Sequence, residues 1–435
     1  MLGPEDGIEI ILLALVVLSP LLPINTNTQV QDTHNSPAAS MQLAQKHVRH
    51  IPIAVNGNKD LVVQAALEGW EGSGTVSDPI LISGYLLEAA RHLFRIVNTD
   101  LYFIFANNYL NGIDGSWCGI YLSNITNGVV ANNTVRNTAI GLHMLQIHGC
   151  VLANNTIYEN RNEGIVLELP CYENNVTGND IYDNGMSGIM LDYGSQGNVI
   201  SGNRIEHNVG NGIYLWQYLS EPLIANNLIV GNWISAQSVG VSVQGHNNAV
   251  RNNTIVESSI VGIQCSGVQN LIERNVVANG SRNGIMLYSY AENNTVQLNS
   301  IQNNTLSGIK IARYSANNVV MYNDLIENND TLQACDDGQG TLFLHNFYSN
   351  WNTPDNNDDS YVDYPYPVYG TAGNSDSQPQ ATPNLILPPW YENLPVNAML
   401  DEERMKNSQA WVFFFPIAGI ALLLVAGEHR TIRNQ

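Results

Sequence analysis

The sequence predicts an all-β chain wound as a parallel β-helix of about 10 rungs of 22–28 residues, followed by a C-terminal transmembrane helix. A Gly-aliphatic-x-aliphatic step begins at Gly119, Gly141, Gly164, Gly188, Gly212, Gly240, Gly262, Gly284 and Gly308, at intervals of 22, 23, 24, 24, 28, 22, 22 and 24 residues. An asparagine column runs in phase with it: Asn133, Asn155, Asn179, Asn203, Asn227, Asn253, Asn275, Asn299 and Asn323, each followed two positions on by Val, Ile or Leu. Two registered columns at one period mark a solenoid. The spacers are short, rich in Asn, Gly, Ser and Thr, and carry isolated β-branched residues. That is strand-and-turn chemistry, without the leucine-rich-repeat consensus.

The elements come in this order. Residues 1–24 read as a signal peptide or N-terminal anchor around the apolar run Ile8–Leu18, although Glu5, Asp6 and Glu9 replace the usual positive charges. Residues 25–50 are a polar, disordered linker. Residues 51–118 hold short apolar runs that read as irregular first rungs capping the open end, with Leu86–Phe94 as an alternative capping helix. Residues 119–345 are the repeats. Stacking rungs ~4.8 Å apart puts Ile120, Leu142, Ile165, Ile189, Ile213, Val241, Ile263, Ile285 and Ile309 in one inward stack. Leu122, Met144, Leu167, Leu191, Leu215, Val243, Cys265, Leu287 and Ile311 form its neighbour. The asparagines form a ladder of side-chain amides at a turn, each donating to the next rung, a structural role. Residues 346–370 are an exit segment and 371–409 a Pro-, Ser- and Asn-rich stalk. Residues 410–427 are uncharged and end near Arg430 and Arg433, as a membrane span would, leaving 428–435 as a cytoplasmic tail.

Composition limits the partners. Formal net charge is −21 over 435 residues, and charged residues make up only 13%. A surface this poor in cations cannot neutralise phosphates, which excludes nucleic acid as a partner. Of five cysteines, Cys265 falls in an inward stack. Cys118, Cys150 and Cys171 come one per rung, which leaves a disulfide between rungs open.

The segments Gly69-Trp70-Glu71-Gly72-Ser73-Gly74-Thr75, Asp78-Pro79-Ile80-Leu81-Ile82 and Asn98-Thr99-Asp100-Leu101-Tyr102-Phe103 resemble the entry of NosD-type β-helix proteins of archaeal surfaces. The Asn-Asn-Thr-Ile and Gly-Ile-x-Leu repeats, and the exit around Asn350-Trp351 and Asp355–Gly370, resemble the same family over residues 51–370. The resemblance implies a right-handed β-helix. It also implies a copper-handling role, for which this sequence has no Met-x-Met, Cys-x-x-Cys or clustered His pattern. His143 and His148 come nearest to one and read as solvent-facing.

Two constellations carry candidate chemistry. Asp355, Asn357, Asp359 and Asp363 alternate as the start of a calcium loop does, but Ser360 and Tyr366 stand where an EF-hand needs Gly and Glu. A structural calcium bracing the exit is one reading; a solvated acidic turn is the other. The second lies on the outward face, where the residue after each Gly step gives Ser123, Leu145, Glu168, Asp192, Trp216, Gln244, Ser266, Tyr288 and Ala312. Glu168, Asp192 and Trp216 fall on successive rungs, with Tyr193 and Tyr214 beside them. Carboxylates one rung apart lie ~5 Å from each other, the separation a retaining glycosidase uses, and an indole is a surface for a sugar ring. The 28-residue interval adds a loop around Trp233 to wall this groove. Scattered surface carboxylates and aromatics are the plain alternative.

The ordered motif sets of polygalacturonases, pectate lyases and uronan epimerases are absent; Asn98-Thr99-Asp100 and Asp336-Asp337 are isolated fragments. Three functions stay open: a membrane-anchored module binding glycans or surface proteins without turnover; a polysaccharide lyase, hydrolase or epimerase using Glu168 and Asp192; or a metal-handling protein.

Overall fold

The computed structural model describes residues 47–217, 223–329 and 332–384. The expected signal segment, nearly all of the 25–50 linker, most of the stalk, the 410–427 span and the tail lie outside the described residues. Among the described residues no helix is long and apolar enough to cross a membrane.

Short strands stack into three parallel sheets that enclose one core. The first, here the glycine sheet, has 12 strands from Ile53–Asn56 to Ala334–Asp336. The asparagine sheet has 13, from Val48–His50 to Phe347–Tyr348. The third has 14, beginning at Ile80–Ser83. One turn runs from the glycine sheet (Ile140–His148) through the third (Val151–Ala153) and the asparagine sheet (Thr156–Tyr158) back to the glycine sheet at Ile165–Glu168. Both predicted aliphatic stacks are fully buried on the inner face of the glycine sheet. The stepping glycines are steric requirements. A Cβ on Gly188 would sit 2.6 Å from Ile205 Cγ2 and 2.8 Å from the Gly212 carbonyl of the next rung.

Asparagines hold the corners, and there are more of them than the single predicted column. Between the third and asparagine sheets the ladder is Asn108, 133, 155, 179, 203, 232, 253, 275, 299, 323 and 346. Each backbone N–H and each Nδ2 donates to the Oδ1 of the next rung, as from Asn155 to Asn179 at 2.9 and 3.0 Å. Asn227 is not in it. It belongs to a second ladder between the glycine and third sheets: Asn174, 198, 227, 248, 270, 294 and 318. The reason is the position of the insertion. Trp216 aligns with Asp192 and Ala225 with Gln196, so the extra residues fall between Gln217 and Leu223 and shift the downstream phase. A third, interrupted ladder includes Asn160, 184 and 208 and, further on, Asn304 and 328. The residue before most ladder positions has positive φ, as at Asn154, Gly178 and Glu173. Hence the Asn-Asn pairs: the first tolerates the left-handed turn, the second extends the amide ladder.

Within residues 51–118 the strands from Tyr85 onward pair in register with the repeats on their C-terminal side. Leu86–Phe94 is not a helix, because a turn at Ala90–His92 divides it between strands Tyr85–Ala89 and Phe94–Thr99. The end is covered by helix α1, Asn58–Glu68, which places Leu61 and Ala65 on the first rung and ends at left-handed Gly69. At the other end, part of the predicted stalk folds back. Ser375–Asp376 joins the third sheet, and Tyr366 stacks on Tyr348 with centroids 3.6 Å apart. Asp376 ends the long ladder, accepting from Asn346 N and Nδ2 at 2.9 and 3.0 Å. All five cysteines are buried free thiols, so no disulfide joins the rungs.

Candidate functional site

In each glycine-sheet strand the second and fourth residues after the glycine face outward. The register aligns Ser123 with Leu145, Leu145 with Glu168, and Asp192 with Trp216. Ile165–Leu167 aligns with Ile189–Leu191, which carries Glu168 next to Asp192. The register thus puts Glu168, Asp192 and Trp216 on successive rungs of one outward column, with Tyr214 on the Trp216 strand and Tyr193 next to Asp192 in the chain.

Asp192 is not an exposed carboxylate: it is 3% exposed. Burial pushes it up to about 6, the Glu168 carboxylate adds to the rise, and the Tyr193 N–H, donating at 2.6 Å, opposes it. Tyr214 and Trp216 stack with centroids 6.3 Å apart at 27°. Gln244 Nε2 donates to the Tyr214 hydroxyl at 3.1 Å, holding that ring from the next rung.

Several members of the site are not singled out by the sequence pattern. His143 is on the outward face but half-buried; its Nε2 donates to Glu168 Oε2 at 2.9 Å. Cys118 Sγ lies 3.8 Å from His143 Nδ1. Burial pushes that thiol up to about 12, which keeps it protonated and a poor nucleophile. Tyr121 meets the imidazole edge-on at 5.7 Å, and His92 packs on Tyr121 at 4.8 Å. Burial, with Arg95 and His143 nearby, lowers the His92 pKa. Burial raises Glu163, which also senses His143 and Glu168. A signal for Tyr121 and His143 does exist in the sequence: they precede Tyr214 in the second-after-glycine column.

One expectation is not met by the geometry. Trp233 does not wall the groove; it lies in the asparagine sheet, aligned with Arg204, and its Nε1 donates to Glu206 at 3.0 Å. The insertion that suggested otherwise leaves directly after Trp216. Asp355, Asn357, Asp359 and Asp363 lie in an exposed exit loop, where their side chains accept from the loop's own amides: Asp355 from Ser360 N at 3.0 Å, Asp359 from Tyr361 N at 2.9 Å, and Asp363 from Asn356 N at 3.2 Å. Among the described residues no group of three or more His, Cys, Asp or Glu converges to hold a metal.

No curated protein matches the chain. Among solved structures it is similar to the A-module of the mannuronan C-5 epimerase AlgE6 of Azotobacter vinelandii, with a TM-score of 0.51 and 16% identity, over 70% of this chain and 93% of that one. It is also similar to the catalytic domain of Agl-KA, with a TM-score of 0.49 and 15% identity, over 74% of this chain and 69% of that one. At 16% identity the likeness to the AlgE6 module is one of fold alone. The family model described as "Periplasmic copper-binding protein (NosD)" matches residues 96–244 and 226–380. The two matches overlap and take in most of the solenoid on which the site is built, so the chain belongs to the NosD family.

Proposed function

We propose that the outer face of the glycine sheet around Glu168, Asp192 and Trp216 binds an uncharged glycan, and that the repeat domain works outside the cytoplasm. The observation that carries this reading is the register that sets two carboxyls and a stacked Tyr214–Trp216 pair on successive rungs of one face. Carboxyls accept hydrogen bonds from sugar hydroxyls, and aromatic faces carry the apolar face of a pyranose. The acidity of the patch argues against a uronate. The family's description as periplasmic supports the location, and the uncharged 410–427 stretch supports anchorage at a membrane.

Turnover is the second reading, and one observation favours it. A carboxyl held near pH 6 beside a second one that His143 hydrogen-bonds has the division of roles that acid–base work on a glycosidic bond uses. The AlgE6 module, a mannuronan epimerase by its name, shows only that the fold is shared with a polysaccharide-active protein. Copper does not fit: Cys118 is held as a thiol, His143 Nε2 is engaged by Glu168, and no wider donor set converges among the described residues.

The test measures retention and product together on a panel of neutral and acidic polysaccharides. Binding without product, weakened about tenfold or more by Trp216→Ala, supports the first reading. Product that disappears in Glu168→Gln or Asp192→Asn establishes the second. Neither retention nor product overturns both and leaves a partner protein.

A further inference from the structure

The corner that carries Asp192 and Tyr193 recurs further along the solenoid. Asp192–Ser195 is a tight turn closed by Ser195 N donating to Asp192 O at 3.3 Å. Tyr288–Ala291 and Ala312–Ser315 close in the same way, each at 3.2 Å. In all three the third residue has positive φ: Gly194 at 73°, Tyr290 at 68° and Tyr314 at 72°. Glycine takes that conformation without penalty, whereas a bulky L-residue is strained by it. Two successive corners nevertheless carry tyrosine.

Both rings point to solvent, with Tyr290 67% and Tyr314 63% exposed. They stack on each other with centroids 5.6 Å apart at 20°, making a flat platform two rungs long. The Arg313 guanidinium stands 5.8 Å from the Tyr314 ring centre. Strained, solvent-facing and mutually aligned rings contribute little to the core, which the aliphatic stacks already fill.

The platform lies further along the same outward face as the site around Trp216. Tyr288 occupies the same outward column as Trp216, and Tyr290 comes two residues later. The intervening corners are low and polar: Gln244-Gly245 and Ser266-Gly267. A Cβ on Gly267 would lie 1.8 Å from the Gly245 carbonyl, so that floor admits no side chain. From the Trp216 rung to the Tyr290 and Tyr314 rungs is three and four steps, ~14 and ~19 Å at ~4.8 Å per rung.

We infer that Tyr290 and Tyr314 form a distal subsite for the same glycan, and that the ligand is an extended polysaccharide lying along the solenoid axis. This rests on the glycan reading of the Trp216 site. One end of the chain stacks at Trp216, its middle crosses the glycine floor, and a later pyranose lies on the tyrosine pair. A ligand too short to reach from one platform to the other gains nothing from the second.

The test titrates the full chain with short and long members of neutral β-glucan and mannan oligosaccharide ladders. Wild-type affinity is expected to rise with length until the ligand spans both platforms. Tyr290→Gly combined with Tyr314→Gly is expected to weaken the long oligosaccharides about tenfold, or 1.4 kcal/mol, and leave the disaccharides unchanged. The same variant is expected to melt at or above the wild-type temperature, because glycine relieves the turn. Tyr290→Phe with Tyr314→Phe is expected to keep the long-chain affinity. Long-chain binding unaffected by the glycine variant, but lost in Trp216→Ala, overturns the distal subsite and leaves the Trp216 reading standing. If wild type binds neither short nor long members, both readings fall.

Discussion

Asp192 makes the protein pH-sensitive at the scale of one residue. A carboxyl whose folded pKa is about 6, against about 3.9 in an unfolded chain, holds its proton more tightly when folded. Its stabilising contribution is present below about pH 4 and is lost as pH rises towards 6. Asp192→Asn is therefore expected to be nearly neutral at pH 4 and to raise stability by ~1–2 kcal/mol at pH 8; equal shifts in melting temperature at the two pH values would refute it. Glu168, Asp192 and Trp216 were legible because they share one phase of a period the sequence states nine times. The burial of Asp192 and the pairing of His143 with Glu168 were not. They depend on how side chains on adjacent rungs lean together, which spacing does not encode.

At the scale of the element, the corner asparagines matter more than any single strand. Asn179→Ala removes the Oδ1 acceptor of Asn155 N and Nδ2, and the donor to Leu152 O and Asn203 Oδ1. Buried groups left without partners cost about 1–3 kcal/mol each, so a loss of roughly 3 kcal/mol or more is expected in urea unfolding. Asn154→Gly, at the positive-φ position just before Asn155, is expected to be nearly neutral. A similar loss from both would show that the turn, not the ladder, sets stability. Between Asn133 and Asn323 the long ladder was legible except at one rung, where a counted period gave Asn227 in place of Asn232; Asn108 and Asn346, which extend it at either end, lay outside the counted repeats. Counting cannot locate an insertion within a turn; only the sheet register can. The two further ladders were legible in principle, since Glu173-Asn174 and Gly197-Asn198, and likewise Glu159-Asn160 and Asp183-Asn184, repeat at the same interval of 24 residues. Helix α1 was not: Leu61 and Ala65 show its buried face, yet Val62, Val63 and Leu67 are exposed and obscure the amphipathic pattern.

For the whole molecule, the ends decide whether a stack of near-identical rungs is a finite object. α1 covers the first rung and the chain from Tyr366 to Asn384 returns over the last, where Asn384 N donates to buried Asp324 at 2.7 Å. Asp376→Asn is expected to cost ~1–3 kcal/mol and to speed amide exchange in residues 346–384 first; uniform exchange across all rungs would contradict it. The long ladder is also directional. From Asn108 through Asn346 each backbone N–H and one hydrogen of each Nδ2 are donated towards the C-terminus, while Nδ2 also donates back to a carbonyl of the preceding rung. A chain synthesised from its N-terminus thus carries, at its growing tip, a backbone N–H and an amide group waiting for an acceptor that the next rung will bring. Each new turn satisfies the last and renews the same demand, so the column has no internal reason to stop. Another asparagine would only pass the demand on. Asp376, whose side-chain oxygen accepts from both N and Nδ2 of Asn346, is where assembly can end without an open valence.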